Sequence, residues 1–326
     1  MKREEKHWAD KEEVIKSNKP LKILLTLLKI LPGWIVRSLA YPISLFYFLF
    51  SKDVRLVTKE YQNQLRTFSN GDVPKKISCY KQVVSFALCL FEKVEGWLGK
   101  IPFDRIEYQD DDIKELLNNL KEGKGAFIIS SHLGNMELLR SLSDYNTELV
   151  NREVPIYIVM DVGIGQQFNK TLQEINPNFS LNIIDSENIG PDAICTMIDA
   201  VESGSLVFIA GDRTSAQVRN RCIKQSFLGK EALFPYGTFL IPALMKTSVY
   251  YMFGLREKIS IFNPKYEAYI EKSKVDFINY KRNEREDKIK ECCAEFAGKL
   301  EKFCKLYPYQ WYNFFNFWDL STGESK

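Results

Sequence analysis

Between Phe127 and Phe262 short apolar runs alternate with helix-like ones, and that rhythm leaves few folds open. Phe127–Ser130 is followed by a helical pattern from Asn135, and Val154–Met160 by one over Gln166–Glu174. Leu181–Ile184 precedes Asp192–Glu202, Leu206–Ala210 leads into an irregular basic stretch, and Val249–Leu255 and Ile259–Phe262 read as further strands. Runs this short, rich in β-branched and aromatic residues, are the mark of strands buried on both faces. Strands separated by helices pair in parallel, because the crossover must return the chain to the same edge. The expected fold is therefore α/β: a mostly parallel central sheet flanked by helices. Residues 54–100 read as helices packed beside it, and Lys274–Leu306 as a highly charged helix whose outer face is solvated.

Within this rhythm, "FIISSHLGNMELLR" places one of the chain's two histidines in a strand-to-helix loop. Open α/β sheets bind ligands beyond the carboxyl ends of their strands, where such a loop lies. Glu137 follows His132 by five positions, in the first turn of the expected helix. On a regular helix, positions five apart diverge by about 140°. The two side chains can meet only if His132 turns back from the loop over the helix N-terminus. A carboxylate on one ring nitrogen would fix the tautomer and make the other nitrogen a better base. The competing reading of an isolated H-x4-E is a loop histidine capping backbone carbonyls beside a solvated glutamate.

Arg213, in "FIAGDRTS", would emerge at the same sheet edge, and its planar guanidinium suits a phosphate. A local Asp212–Arg213 pair ending the strand is the plainer alternative. Further on, "SFLGKEALFPYG" contains Gly229, Phe234, Pro235 and Gly237, an apolar turn suited to close approach by a substrate chain.

The first half-hundred residues raise a separate question. "LKILLTLLKILPGWIVRSLAYPISLFYFLFSKDVR" is the most hydrophobic stretch, yet its longest uncharged run, Ser38 to Phe50, is shorter than the ~20 residues a span requires. Lys22, Lys29 and Arg37 interrupt it, Pro32 and Pro42 bend it, and Trp34, Tyr41 and Tyr47 are rings that settle at headgroup level. The expectation is an arm over residues 1–53 lying in the membrane interface, with 54–326 forming the α/β domain. Two buried helices of a soluble core, or a tilted span, are the alternatives. A net charge of only +3 argues against a dedicated nucleic-acid binder. Seven cysteines without CxxC spacing, and only two histidines, argue against a zinc site and fit a reducing compartment. No secretory signal pattern is seen, so the domain is expected to face the cytoplasm.

Taken in order, these motifs resemble the lysophospholipid acyltransferase superfamily, specifically its lipid A late-acyltransferase branch. The H-x4-D/E signature falls at His132 and Glu137, "GDR" at Gly211–Arg213, "FLGKEALFPYG" at Phe227–Gly237 and "PYQW" at Pro308–Trp311. The likeness runs over most of the chain, from "HWAD" at His7 to the terminal aromatics, and its specificity lies in the order and spacing of the motifs. It departs from the glycerophosphate acyltransferase branch, whose related block reads FPEG: Tyr236 stands where that glutamate would be.

The resemblance implies transfer of a fatty acyl group from a thioester, on acyl carrier protein or coenzyme A, to a hydroxyl or amine of a lipid or glycolipid acceptor. His132 would take the acceptor's proton and Glu137 would hold the imidazole. Asp212 and Arg213 would serve substrate binding, Arg213 on a phosphate, and Gly229, Phe234, Pro235 and Gly237 would border the acyl chain. No metal and no cofactor beyond the thioester co-substrate is implied, and the expected location is the cytoplasmic face of the inner membrane. Gln310 and Trp311 read as packing, as aromatic clusters usually do. A thioester hydrolase using the same pair, and a non-catalytic membrane adaptor with the same fold, are the competing functions.

Overall fold

A computed structural model of the chain describes residues 23, 26–28, 30–71, 73, 78–97, 100–110, 112–136, 138, 150–161, 182–213 and 221–320. The central sheet has seven strands among these residues: β1 (Ile106–Tyr108), β2 (Ala126–Ser130), β3 (Ile156–Met160), β4 (Asn182–Asp185), β5 (Leu206–Ala210), β8 (Val249–Arg256) and β9 (Tyr266–Lys272). A separate hairpin is made of β6 (Cys222–Phe227) and β7 (Lys230–Pro235). The sheet order is β1-β9-β8-β2-β5-β3-β4, and β8, β2, β5, β3 and β4 all run parallel. The expected α/β architecture with a mostly parallel sheet is thus present. Only β9, antiparallel to β8, and its parallel neighbour β1 run the other way.

β2 and β8 are buried along their whole length and β5 as far as Ile209, and alternate residues feed two cores. Phe127, Ile129, Val207, Ile209, Tyr251 and Phe253 point into one. There they meet α8 (Arg285–Leu306) through Phe296 and Leu300, α6 (Pro191–Glu202) through Met197, and α7 (Tyr236–Met245) through Phe239. Ala126, Ile128, Leu206, Phe208, Tyr250 and Met252 point to the other, against Leu116 and Leu120 of α5 (Asp112–Lys121). Each of the Val, Leu, Ile, Phe and Met side chains contributes about 1.5–3 kcal/mol by leaving water, so the register of the sheet is strongly fixed.

Three details differ from the sequence reading. Ile259–Phe262 forms no strand; it belongs to the β8–β9 connection, and Phe262 is exposed. The partner strand is "YEAYIEK", whose period-two alternation hides its apolar residues among charges. The charged helix starts at Arg285 rather than Lys274, because β9 runs to Lys272 and an irregular turn intervenes. The helix expected over Gln166–Glu174 lies outside the described residues, as does most of the one from Asn135.

Among the described residues the helices α1 (Gly33–Ser38), α2 (Ala40–Phe50), α3 (Lys52–Phe68) and α4 (Cys79–Trp97) precede the sheet. Gly33–Phe50 is long and apolar enough to cross a membrane, and 22% of it is buried. Its inner side is rooted in α4: the Arg37 guanidinium donates Nε and Nη2 to the two Glu95 carboxylate oxygens, both at 3.1 Å, and Ser44 Oγ donates to Val83 O. Its outer side exposes Ile43, Phe46, Leu49 and Phe50.

Candidate active site

β2 and β5 are adjacent and parallel, with Ser130 paired to Ala210, so whatever follows each strand emerges side by side. His132 follows one and Asp212 the other. The His132 backbone N–H donates to the Asp212 carboxylate at 2.9 and 3.1 Å, and the ring Nδ1 lies 2.8 Å from Oδ1. The Trp311 indole N–H reaches the second oxygen, Oδ2, at 3.0 Å. The carboxylate therefore serves three donors, in a position where the Asp212 side chain is only 1% exposed.

These contacts decide protonation. Burial alone would raise the Asp212 pKa, but the His132 ring, the nearby Arg213 charge and the Trp311 donor outweigh it, and the carboxyl lies below its usual range. An ionised carboxylate only accepts, so Nδ1 carries the imidazole proton and Nε2 presents its lone pair. Burial also holds the His132 pKa below its ordinary value, and Arg213 adds to that while Asp212 opposes it. The ring is thus neutral near pH 7. Its side chain is 30% exposed, and among the described residues no hydrogen bond uses Nε2. Among the described residues no serine or cysteine is bonded to it, so Nε2 could accept a proton from a bound molecule.

The loop carrying His132 is tied down on three sides. Gly134 N donates to Gln310 O at 2.8 Å, Asn135 N to Gly254 O at 2.7 Å, and Tyr312 N to His132 O at 3.0 Å. Gly134 has φ +78°, and a Cβ there would come within 2.1 Å of the Gly254 carbonyl oxygen. Only glycine allows the loop to lie this close to β8.

The C-terminal segment closes the site. The Gln310 side-chain amide pairs with both the N–H and the C=O of Arg256, at 2.9 and 2.6 Å. Gln82 Nε2 donates to Trp311 O at 2.7 Å. Arg256 itself is buried against Glu92 of α4 in a bidentate pair, both contacts 2.6 Å. A chain of fixed contacts thus runs from α4 through Arg256 and Gln310 to Trp311, Asp212 and His132. Trp311 and Gln310, which the sequence reading assigned to packing, also hydrogen-bond into this network, Trp311 at Asp212 and Gln310 at the Arg256 backbone. The available signal was chemical: a tryptophan buried this deeply must find an acceptor for its N–H.

The other expected site residues fall as follows. Glu137 lies outside the described residues; the carboxylate at His132 Nδ1 is that of Asp212, which the sequence reading placed with substrate binding. Arg213 is at the same edge, close enough to depress the histidine, with Nη2 donating to Tyr312 O at 3.1 Å. Gly229, at φ +78° in the tight β6–β7 turn, sits against Phe68, on the side of α3. Phe234 is fully buried among Phe227, Phe296 and Phe317. Phe227 in turn touches Trp311, with ring centroids 5.1 Å apart. Pro235 precedes α7, and the space beside Gly237 is open. The start of α7 abuts the end of β5 through Thr238 Oγ and Ala210 O. The turn at Pro235–Gly237 therefore reaches the edge that carries Asp212, whereas Gly229 and Phe234 serve the hairpin and the core. Among the described residues no cluster of histidine, cysteine and carboxylates could hold a metal ion.

Comparison with protein-family models and with curated proteins finds no match to this chain.

Proposed function

We propose that this protein is a membrane-associated acyltransferase of the lysophospholipid acyltransferase type, akin to the lipid A late acyltransferases. It would move a fatty acyl group from an acyl carrier protein or coenzyme A thioester to a hydroxyl or amine of a lipid or glycolipid. One observation carries the reading: a neutral histidine, 30% exposed and oriented at Nδ1 by a buried aspartate, keeps Nε2 without a hydrogen bond among the described residues. The absence of a hydroxyl or thiol bonded to Nε2, among the described residues, favours direct transfer over an acyl-enzyme.

In the reaction, the acceptor O–H or N–H gives its proton to His132 Nε2 as the acceptor atom attacks the thioester carbonyl carbon. The tetrahedral intermediate collapses, the C–S bond breaks, and the departing thiolate takes the proton from the imidazolium. Asp212 stabilises the imidazolium between these steps. Arg213 would hold a phosphate of either the acceptor or the donor's phosphopantetheine arm.

The apolar face of α1 and α2 supports a membrane contact, and its geometry supports one lying in the interface. A helix whose Arg37 is ion-paired inside the protein body and whose opposite side exposes phenylalanines can rest on a bilayer without leaving α4. The proposed location is the cytoplasmic face of the inner membrane, with the sheet on the cytoplasmic side.

Product analysis tests the reading. Purified protein given an acyl thioester should form acylated lipid only when a lipid acceptor is present. Free fatty acid with or without acceptor would indicate a hydrolase, and unchanged thioester an adaptor. The transfer rate should fall as pH drops through a pKa below the ordinary histidine value of about 6.5, because protonation of Nε2 removes the base. A pH–rate profile of kcat/KM from pH 4 to 8 checks this; a rise toward acid would contradict it.

Kinetics at Arg213 separate binding from proton transfer. Loss of a charge-assisted contact typically costs about 1.5–3 kcal/mol. If the contact is equal in ground and transition states, Arg213→Ala should raise KM for one substrate with little change in kcat. Arg213→Lys should recover little of the loss if the planar fork matters. Unchanged KM for donor and acceptor alike would leave Arg213 as a tether to Tyr312.

A further inference from the structure

We propose that a cationic pocket at the root of the N-terminal helices binds the phosphate of an anionic glycerophospholipid. The proposal rests on the membrane contact described above, and not on acyl transfer. The pocket has a volume of about 270 Å³ and lies between α1, the end of α4 and the β8–β9 connection. Among the described residues its walls carry three cations, Arg37, Lys100 and Arg105, and one carboxylate, Glu95. Glu95 is matched by Arg37, which also donates to Ile261 O at 2.5 Å. The surplus charge is therefore that of Lys100 and Arg105. The Lys100 ammonium donates to Leu28 O, and Arg105 Nη2 donates to Asn263 Oδ1 at 3.2 Å. An ammonium has three donors and a guanidinium five, so both retain capacity for phosphate oxygens.

The rim identifies the source of the phosphate. Trp34 and Phe262 stack at the pocket with ring centroids 5.6 Å apart, both well exposed. Trp34 begins the apolar stretch that continues along α1 and α2 to Phe50. A phosphate held by Lys100 and Arg105 would place its glycerol and acyl chains over these rings and onto the same apolar face. A soluble phosphate ester would gain nothing from such a lip. Exposed rings beside paired basic residues match the level at which lipid headgroups sit. The pocket shares no lining residue with the His132 centre, so it is a second lipid contact. Of the Ile259–Phe262 segment, Ile259 and Ile261 pack against the α1–α4 cluster, which leaves Phe262 at the pocket rim.

Vesicle binding by the full-length protein tests this. Wild type should prefer vesicles with phosphatidylglycerol in phosphatidylcholine over pure phosphatidylcholine. The Lys100→Gln/Arg105→Gln variant should lose about 10–30-fold of that preference, as expected for two basic residues at a membrane surface, while binding phosphatidylcholine as before. Arg105→Gln alone, at a half-buried position, should lose a smaller part. Lys258→Gln/Lys265→Gln removes the same charge from the β8–β9 connection outside the pocket and should lose less than about threefold. Excess inorganic phosphate should leave vesicle binding intact. Equal losses for the two double variants would replace the pocket with diffuse attraction, and release by phosphate would make it a soluble-anion site. Binding to both vesicle types without preference overturns the pocket alone; binding to neither overturns the membrane contact as well.

Discussion

On the proposed acyl transfer, Asp212→Asn should lower the rate by about 10³–10⁴-fold, the size of loss expected when a histidine base is held in the wrong tautomer. The reason lies in the donors around the carboxylate. The Trp311 indole and the His132 backbone N–H both need an acceptor at Oδ2, 3.0 and 2.9 Å away. An asparagine satisfies them by turning its carbonyl oxygen to that side. Its NH₂ then faces Nδ1, which must accept, and the ring proton moves to Nε2. The base is lost although no side chain has moved. Turnover measured beside near-ultraviolet circular dichroism checks both halves: activity falls while tertiary packing remains. A rate within tenfold of wild type would mean that Asp212 does not set the tautomer.

The second large effect is on stability. Glu92→Gln destabilises the protein by about 3–5 kcal/mol, because it leaves the Arg256 guanidinium buried without its counter-charge. Arg256 is 2% exposed and takes both Glu92 oxygens at 2.6 Å, with Ser85 Oγ at 3.2 Å as its third contact. Chemical denaturation of the detergent-solubilised protein measures the loss. The same substitution should lower turnover, since Arg256 is the residue that the Gln310 side chain clamps, and Trp311 follows Gln310 in the chain. A loss below about 1 kcal/mol would mean that water reaches the pair, as it does for exposed ones.

How far the sequence foretold this arrangement depends on whether a contact is local. The β2 strand and the position of His132 just beyond it were legible, because a fully buried parallel strand is a continuous apolar run. That Asp212 and Arg213 follow β5 was legible for the same reason. The Asp212–His132 contact was not. It joins residues 80 positions apart and depends on β5 lying beside β2. An alternation of strands and helices fixes the kind of sheet but leaves the strand order open. Glu137, the local candidate, lies outside the described residues, whereas Asp212 is a partner that only the topology supplies. Trp311 lay hidden among many aromatics, where one hydrogen-bonding ring looks like any packed one. β9 is hidden because charges occupy alternate positions, and Ile259–Phe262 reads as a strand because an apolar loop that packs on the helices looks the same in sequence.

The claim that His132 is the base is tested most directly by following a labelled acyl chain from thioester to lipid acceptor with purified His132→Ala protein. The loop residue contributes little to the core, so the variant should fold and bind membranes as wild type does. Its transfer rate should fall by at least the ~10²–10⁴-fold that positioned proton transfer typically supplies, with the thioester recovered intact. Transfer by His132→Ala at a rate near that of the wild type would contradict the account.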